Sequence, residues 1–200
     1  MKTFVTTTSV PVLLKIDNVD TDMIIPKDFL KTIKRDGLGK SLFYEMRYDL
    51  EGRVVPSFPL NQDAYKNSKI LVSGDNFGCG SSREHAVWSI SDFGINVVIA
   101  KSFADIFKNN CYENGILPIA LGSESHAKIV EECEQNNELT VNLESQEIVG
   151  KNCVVKFEIE DFRKHCLING LDQIGVTMQS SKNIDNFEDK QRSLNPWLYE

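Results

Sequence analysis

The stretch Gly74-Asp75-Asn76-Phe77-Gly78-Cys79-Gly80-Ser81-Ser82-Arg83-Glu84-His85-Ala86 decides how the rest of the chain is read. Before it, Ile70, Leu71 and Val72 form a short apolar run of the kind that becomes a buried strand. After it, Ala86, Ile90 and Phe93 recur at helical spacing until Gly94 supplies a stop. The spacing predicts a helix over Arg83 to Phe93, entered from a loop that carries three glycines, two adjacent hydroxyls and an arginine. A strand–loop–helix junction of this kind presents unpaired backbone N–H groups and the positive end of the helix dipole, and glycines let a ligand approach the backbone. Arg83 adds a planar fork matched to a carboxylate or phosphate. Anion binding is the chemistry these residues suit.

Ser81 and Glu84 also fit the capping-box pattern, which predicts Ser81 as the N-cap of the helix. Capping does not require glycine at 74, 78 and 80, and gains nothing from a cation at the positive end of the dipole. Familiar phosphate loops do not fit. The dinucleotide fingerprint that Gly78 and Gly80 begin lacks its third glycine, because position 83 is arginine. No Gly-Lys-Ser/Thr follows Gly74, and Glu84 stands where a nucleophile elbow around Ser82 needs its second glycine.

Outward from the loop, strand-like segments cover Phe4 to Ile16, Ile70 to Ser73, Val97 to Ala100 and Ile116 to Leu121. They alternate with helical patterns over Arg83 to Phe93, Phe103 to Asn109 and Ser125 to Asn136. That alternation predicts an α/β layered domain with parallel pairing in its middle. A later β section follows over Leu139 to Leu143, Glu147 to Val149 and Val154 to Ile159, then a helix from Asp161 to Ile168. With 200 residues, 41% hydrophobic and 26% charged, the chain reads as one domain with a sizeable core. A net charge of −7 with no basic stripe argues against a nucleic-acid partner. No apolar run approaches the roughly 20 residues that span a bilayer, so no membrane is expected.

The five cysteines, at 79, 111, 133, 153 and 166, include no Cys-x-x-Cys. They suit a reduced, cytoplasmic chain and give no support to a self-contained zinc or iron–sulfur site. Four of them are expected to be small buried hydrophobes, while Cys79 sits inside the loop. Asp17, Asp20 and Asp22 lack the glycine and closing glutamate of a calcium loop and predict a turn held by side chains. Between Phe29 and Leu42 a charged segment broken by Gly37 and Gly39 reads as a mobile loop. We expect it to act as a lid, with Leu30, Ile33 and Leu38 meeting the apolar part of a substrate.

The Gly-Ser-Ser-Arg-Glu-His-Ala run at 80–86 closely resembles the signature of the aconitase superfamily's swivelling domain. Asn18-Val19-Asp20-Thr21-Asp22 with Ile24-Ile25-Pro26 and Phe29, Ser102-Phe103-Ala104-Asp105-Ile106-Phe107, Phe162-Arg163-Lys164-His165-Cys166 and Asn169-Gly170-Leu171-Asp172 agree with it. Together they resemble the small subunits of bacterial 3-isopropylmalate dehydratases, from about residue 3 to about residue 178. The tail over 179–200 carries no motif that joins in. The resemblance implies a swivelling β/β/α domain and an isomerase of leucine biosynthesis acting through an alkene. It implies Ser81 as the base, acting as alkoxide, with Ser82 and Arg83 gripping a substrate carboxylate. Asn76, Cys79 and Gly80 are expected near the substrate from their place in the loop, and His85 as a hydrogen-bonding support. The family's [4Fe-4S] cluster finds no ligand set here, so it is expected on a separate large subunit, with a small dicarboxylate as substrate and no metal on this chain.

Other readings fit fewer residues. Sister hydro-lyases acting on citraconate, methylmalate, dimethylmalate or homoaconitate share Gly-Ser-Ser-Arg. A stand-alone hydrolase would use Cys79 or Ser82 with His85 but lacks the elbow. A non-catalytic anion-binding module would use the loop alone.

Overall fold

Pro11 has no backbone N–H to give to a ladder, and there the N-terminal segment, expected as one strand from Phe4 to Ile16, breaks in two. In the computed structural model, which describes residues 1–199, Thr6–Ser9 (β1) and Val12–Leu13 (β2) enter different sheets. The strand β2 joins Ile70–Val72 (β3), Val97–Ala100 (β4) and Leu117–Ala120 (β5) in a parallel sheet of that order. Pro118 is tolerated in β5 because that strand lies at the sheet edge. The strand β1 pairs antiparallel with Leu139–Asn142 (β6), which continues into Glu147–Val149 (β7) and Val154–Lys156 (β8).

The continuous apolar runs of β3 and β4 follow from burial on both faces. Leu71 and Val98 enter one core cluster with Ile24, Ala86, Ile90 and Phe107. Ile70, Val72, Val97 and Ile99 enter the other with Val141, Ile148 and Val155 of the antiparallel sheet. The layers are therefore antiparallel sheet, parallel sheet and helices, the β/β/α order expected. The helical elements are Thr21–Ile24 (α1), Tyr44–Arg47 (α2), Glu84–Phe93 (α3), Asp105–Glu113 (α4), Ser123–Glu134 (α5) and Asp161–Asn169 (α6). Gln173–Met178 (α7) and Ser181–Leu194 (α8) complete them. Gly94, at φ 108°, ends α3 in the left-handed conformation its sequence position predicted.

The segment after Phe29 departs from the free lid expected of it. Asp92 on α3 accepts from Gly37 N (2.9 Å) and Gly39 N (2.7 Å), and Leu38–Ser41 winds into a 3-10 turn against that helix. Buried Arg47 donates to the carbonyls of Gly39 and Leu42, both at 3.3 Å, and locks the turn from beneath. Leu38 is 5% exposed inside the helical-side core, so it holds the segment down and is not available to a substrate. Leu30 packs partly against the same cluster, whereas Ile33 is 93% exposed. Lysines and glycines around Leu38 mask in sequence what packing makes of it.

In the tail, Ile174, Met178, Phe187, Leu194, Trp197 and Leu198 are exposed. Among the described residues, no helix is long and apolar enough to cross a membrane.

Candidate active site

The loop after β3 is held along its first half from two sides. Gly74 N donates to Ile16 O (3.0 Å), Asn18 N to Asp75 O (2.8 Å), Gly78 N to Val19 O (2.7 Å) and Thr21 N to Cys79 O (2.9 Å). Opposite, Lys101 N donates to Gly74 O (3.1 Å), Phe77 N to Ser102 O (3.0 Å) and Ala104 N to Phe77 O (3.0 Å). Side chains add to this clamp. Asp17 accepts from Asp75 N at 2.6 Å, and Asn76 donates its N–H to Ser102 Oγ and its amide to Asn18 Oδ1, both at 2.9 Å. The Ser102 hydroxyl donates to the Asp75 carboxylate, and this bond holds the Asp75 carboxyl below its ordinary range despite some desolvation. The turn of acidic side chains expected at 17–22 is thus real, and Asp20 spends its carboxylate on Met23 N (2.7 Å) at the start of α1.

Two glycines serve different ends. Gly78 has φ 77°, and a Cβ there would run into the Phe107 ring. Gly80 has φ 88° with its surroundings clear to 3.5 Å, so it answers to backbone conformation alone.

Beyond Gly80 the loop is open. Ser81 and Ser82 are exposed, and Arg83, the expected first residue of the helix, is its N-cap in an extended conformation, so α3 starts one residue later than expected. The capping box expected between Ser81 and Glu84 does not form. The Glu84 carboxylate instead accepts from Asn114 Nδ2 (2.9 Å) and Trp88 Nε1 (3.2 Å). Among the described residues, the N–H groups of Ser82, Arg83, Glu84 and His85 donate to no protein acceptor, which leaves the positive end of a ten-residue helix open. Thr21, 1% exposed, donates its hydroxyl to Ser81 O at 3.0 Å.

Gly80, Ser81, Ser82 and Arg83 line one wall of a cavity of about 250 Å³, with Thr21 beside them. Ala104, Phe107 and Asn110 form the facing wall, from the Ser102–Phe107 motif and the helix it begins. The Arg83 guanidinium, 20% exposed, pairs with Asp22 at the mouth. Asn110 is half-buried, and among the described residues its side-chain amide has no protein partner. Chemically this is a small pocket with two free alcohols, a guanidinium, an amide and one carboxylate, that of Asp105, beside a row of free N–H donors, and the surplus of donors suits a carboxylate of a few carbons.

Of the residues singled out in the sequence, Gly80, Ser81, Ser82 and Arg83 come together here. Asn76 is spent on the clamp, and Cys79 contributes its carbonyl to Thr21; neither lines the cavity. His85 Nε2 lies 2.9 Å from Thr32 O and its ring packs on Trp88 at 4.6 Å, tying the 29–42 segment to α3. Thr21 and Asn110 escaped the sequence reading, although Thr21 lies within the quoted Asp-Thr-Asp run. What could have found it is its place in a motif whose neighbours the turn reading had already used.

The cysteines do not fit an iron–sulfur cluster. Cys111, Cys133 and Cys166 are buried, and burial pushes the Cys111 thiol well up and that of Cys133 to about 12. Cys153 is half-exposed, where burial was expected. Among the described residues, no group of three or more His, Cys, Asp or Glu could hold a metal ion.

A model of the aconitase C-terminal domain matches residues 1–124, the part that carries both walls of the cavity. A second model, for the C-terminal domain of the 3-isopropylmalate dehydratase small subunit, matches residues 174–200, so the tail, expected to stand outside the motif-bearing part, carries a family signature of its own. The 3-isopropylmalate dehydratase small subunit of Parvibaculum lavamentivorans is 58% identical over 194 residues, covering 96% of each chain. That of Afipia carboxidovorans is 57% identical over 201 residues, covering 99% of this chain and all of its own. A crystal structure of 3-isopropylmalate dehydratase (leuD) from Methanocaldococcus jannaschii superposes with a TM-score of 0.67 at 30% identity, over 92% of this chain and 99% of that one. Loop, layers and near-complete length agree: the chain belongs to the 3-isopropylmalate dehydratase small-subunit family of the aconitase superfamily.

Proposed function

We propose that this chain is the small subunit of a hydro-lyase that interconverts 2-isopropylmalate and 3-isopropylmalate in leucine biosynthesis, by removing water and returning it in the other orientation. The observation that carries the reading is the Ser81–Ser82–Arg83 tip, its two serines exposed, beside free backbone donors, in a chain 58% identical to a named member of the family.

The reaction has two hard parts. Hydroxide must leave, and a weakly acidic proton beside a carboxylate must be taken. This chain's residues suit the second. Ser81, deprotonated, takes the proton; the open helix end and the Arg83 guanidinium lower the cost of its negative charge. Arg83 and Ser82 hold a substrate carboxylate, for which Arg83 exchanges its Asp22 partner. Gly80 keeps a side chain out of the approach. His85 supports the site from outside by holding the 29–42 segment on α3, and Ile33, with Leu30 behind it, faces the isopropyl group. Asn76 and Cys79 act on the substrate only through the shape of the loop.

The Lewis acid that would draw off hydroxide is a [4Fe-4S] cluster on a large subunit, since this chain's thiols are dispersed and three of the five are buried. The small subunit then covers it as one swivelling domain, in the cytoplasm. Purified alone, the chain is expected to carry no stoichiometric iron and no dehydratase activity. Joined to its large subunit and offered isopropylmalate beside citraconate, dimethylmalate and homoaconitate, it is expected to prefer isopropylmalate. Preference for one of the other acids would move it to a sister enzyme, and tightly bound iron in the isolated chain would end the two-subunit reading.

A further inference from the structure

We propose that Thr21 is a positioning residue, whose hydroxyl fixes the Ser81–Ser82 peptide plane and thereby presents the Ser82 backbone N–H to the substrate carboxylate. The inference rests on the reading of the Ser81–Arg83 tip as the substrate site and adds to it a donor and the residue that aims it.

A carbonyl oxygen only accepts, so in the 3.0 Å contact between Thr21 Oγ1 and Ser81 O the hydroxyl must donate. Thr21 is itself rigidly placed. It is 1% exposed, its N–H donates to Cys79 O at 2.9 Å, and its carbonyl accepts from Ile25 N at 3.0 Å. At so buried a position the hydroxyl needs a protein partner, and Ser81 O is the one it has. The Ser81 carbonyl and the Ser82 N–H belong to one planar unit and, in a trans peptide, point in opposite directions. Among the described residues no peptide bond is cis. Fixing the carbonyl toward Thr21 therefore fixes the N–H away from it. Among the described residues that N–H has no protein acceptor, and both Ser82 and Thr21 line the cavity.

Among the described residues, no other hydrogen bond holds this plane. Gly80 precedes it at φ 88°, and Ser81 and Ser82 are exposed. Without the tether the peptide is free to turn over, and a donor needed at one angle would be presented there only part of the time. The loss would appear as weaker carboxylate binding, because the N–H meets the bound acid in ground and transition states alike.

The test compares Thr21→Val, which keeps the shape and deletes the donor, with Thr21→Ser, which keeps the donor, in the assembled two-subunit enzyme. Thr21→Val is expected to raise KM for isopropylmalate and the inhibition constant of malonate by about tenfold with kcat changed far less, and Thr21→Ser to restore both to within about twofold. Unchanged constants in Thr21→Val, whatever happens to its melting temperature, would overturn the proposal, as would a Thr21→Ser enzyme as impaired as Thr21→Val. Should Thr21→Val fail to assemble, the unaltered enzyme labelled with 15N-serine is titrated with malonate. The Ser82 amide proton is expected to move downfield, and an unmoved signal overturns the proposal. Ser81→Ala run in parallel separates the two ideas. A dead Ser81→Ala with a normal Thr21→Val removes only the tether, whereas a fully active Ser81→Ala removes the base reading.

Discussion

From Gly74 to Cys79 the loop hands its backbone groups to residues 16–21 on one side and 101–104 on the other, whereas from Ser82 to His85 the N–H groups have no protein acceptor among the described residues. One half is built like the inside of a sheet, the other like an open hand. The difference separates what holds the site from what acts in it. Substitutions in the clamped half should register in stability, and those in the open half in turnover, with little crossing over.

Ser81→Ala should give the largest effect and the cleanest separation. Turnover in the assembled enzyme is expected to fall by about 10²–10⁴-fold, the span of a lost general base, with the melting temperature of the isolated chain unchanged. Gly78→Ala should do the reverse. Its Cβ meets the Phe107 ring at a left-handed φ, so a loss of about 3 kcal/mol or more is expected in urea unfolding. A stable Gly78→Ala chain would break the division. The 29–42 segment repeats the contrast at smaller scale. Leu38→Arg buries a charge in the core and should cost about 3 kcal/mol or more, while Ile33→Arg should leave stability within about 0.5 kcal/mol and weaken isopropylmalate turnover alone.

Gly80→Ala sharpens the line, since the space around it is clear and only φ is at fault; about 1–2 kcal/mol is expected. The smallest effect belongs to Asp75. Its carboxyl is held low chiefly by Ser102, so the carboxylate stabilises the fold above the ordinary carboxylate range near about pH 4, and that contribution fades as pH falls through its lowered value. Ser102→Ala should bring the Asp75 titration, followed by carboxyl 13C NMR, back up toward that range. Curves of stability against pH for the two proteins should approach each other in acid.

The elements whose apolar runs are covered on both faces, β3 and β4, and the helix stopped by Gly94 were legible because one local signal dominates each. The strand over 4–16 was misjudged although Pro11 stood in it, because apolar residues on both sides outweighed one missing donor. Ser81 and Glu84 satisfied a capping pattern that the fold declined, since Asn114 and Trp88 claim the Glu84 carboxylate from other turns of the structure. Asn110 was beyond reach for the same reason, and Thr21 offered only its place in the Asp-Thr-Asp run. Their roles come from residues about thirty and about sixty positions away, which no local pattern names.

That separation has a consequence for how the site comes into being. The partners in the Thr21–Ser81 contact stand 60 residues apart, and the ladder between residues 16–21 and 74–79 spans similar distances. A ribosome releases one edge long before the other exists, and a synthetic peptide of the loop alone would have no walls to shape it. Local melting that detaches the amino-terminal edge should silence the enzyme while most amide protons in the sheets are still guarded from exchange.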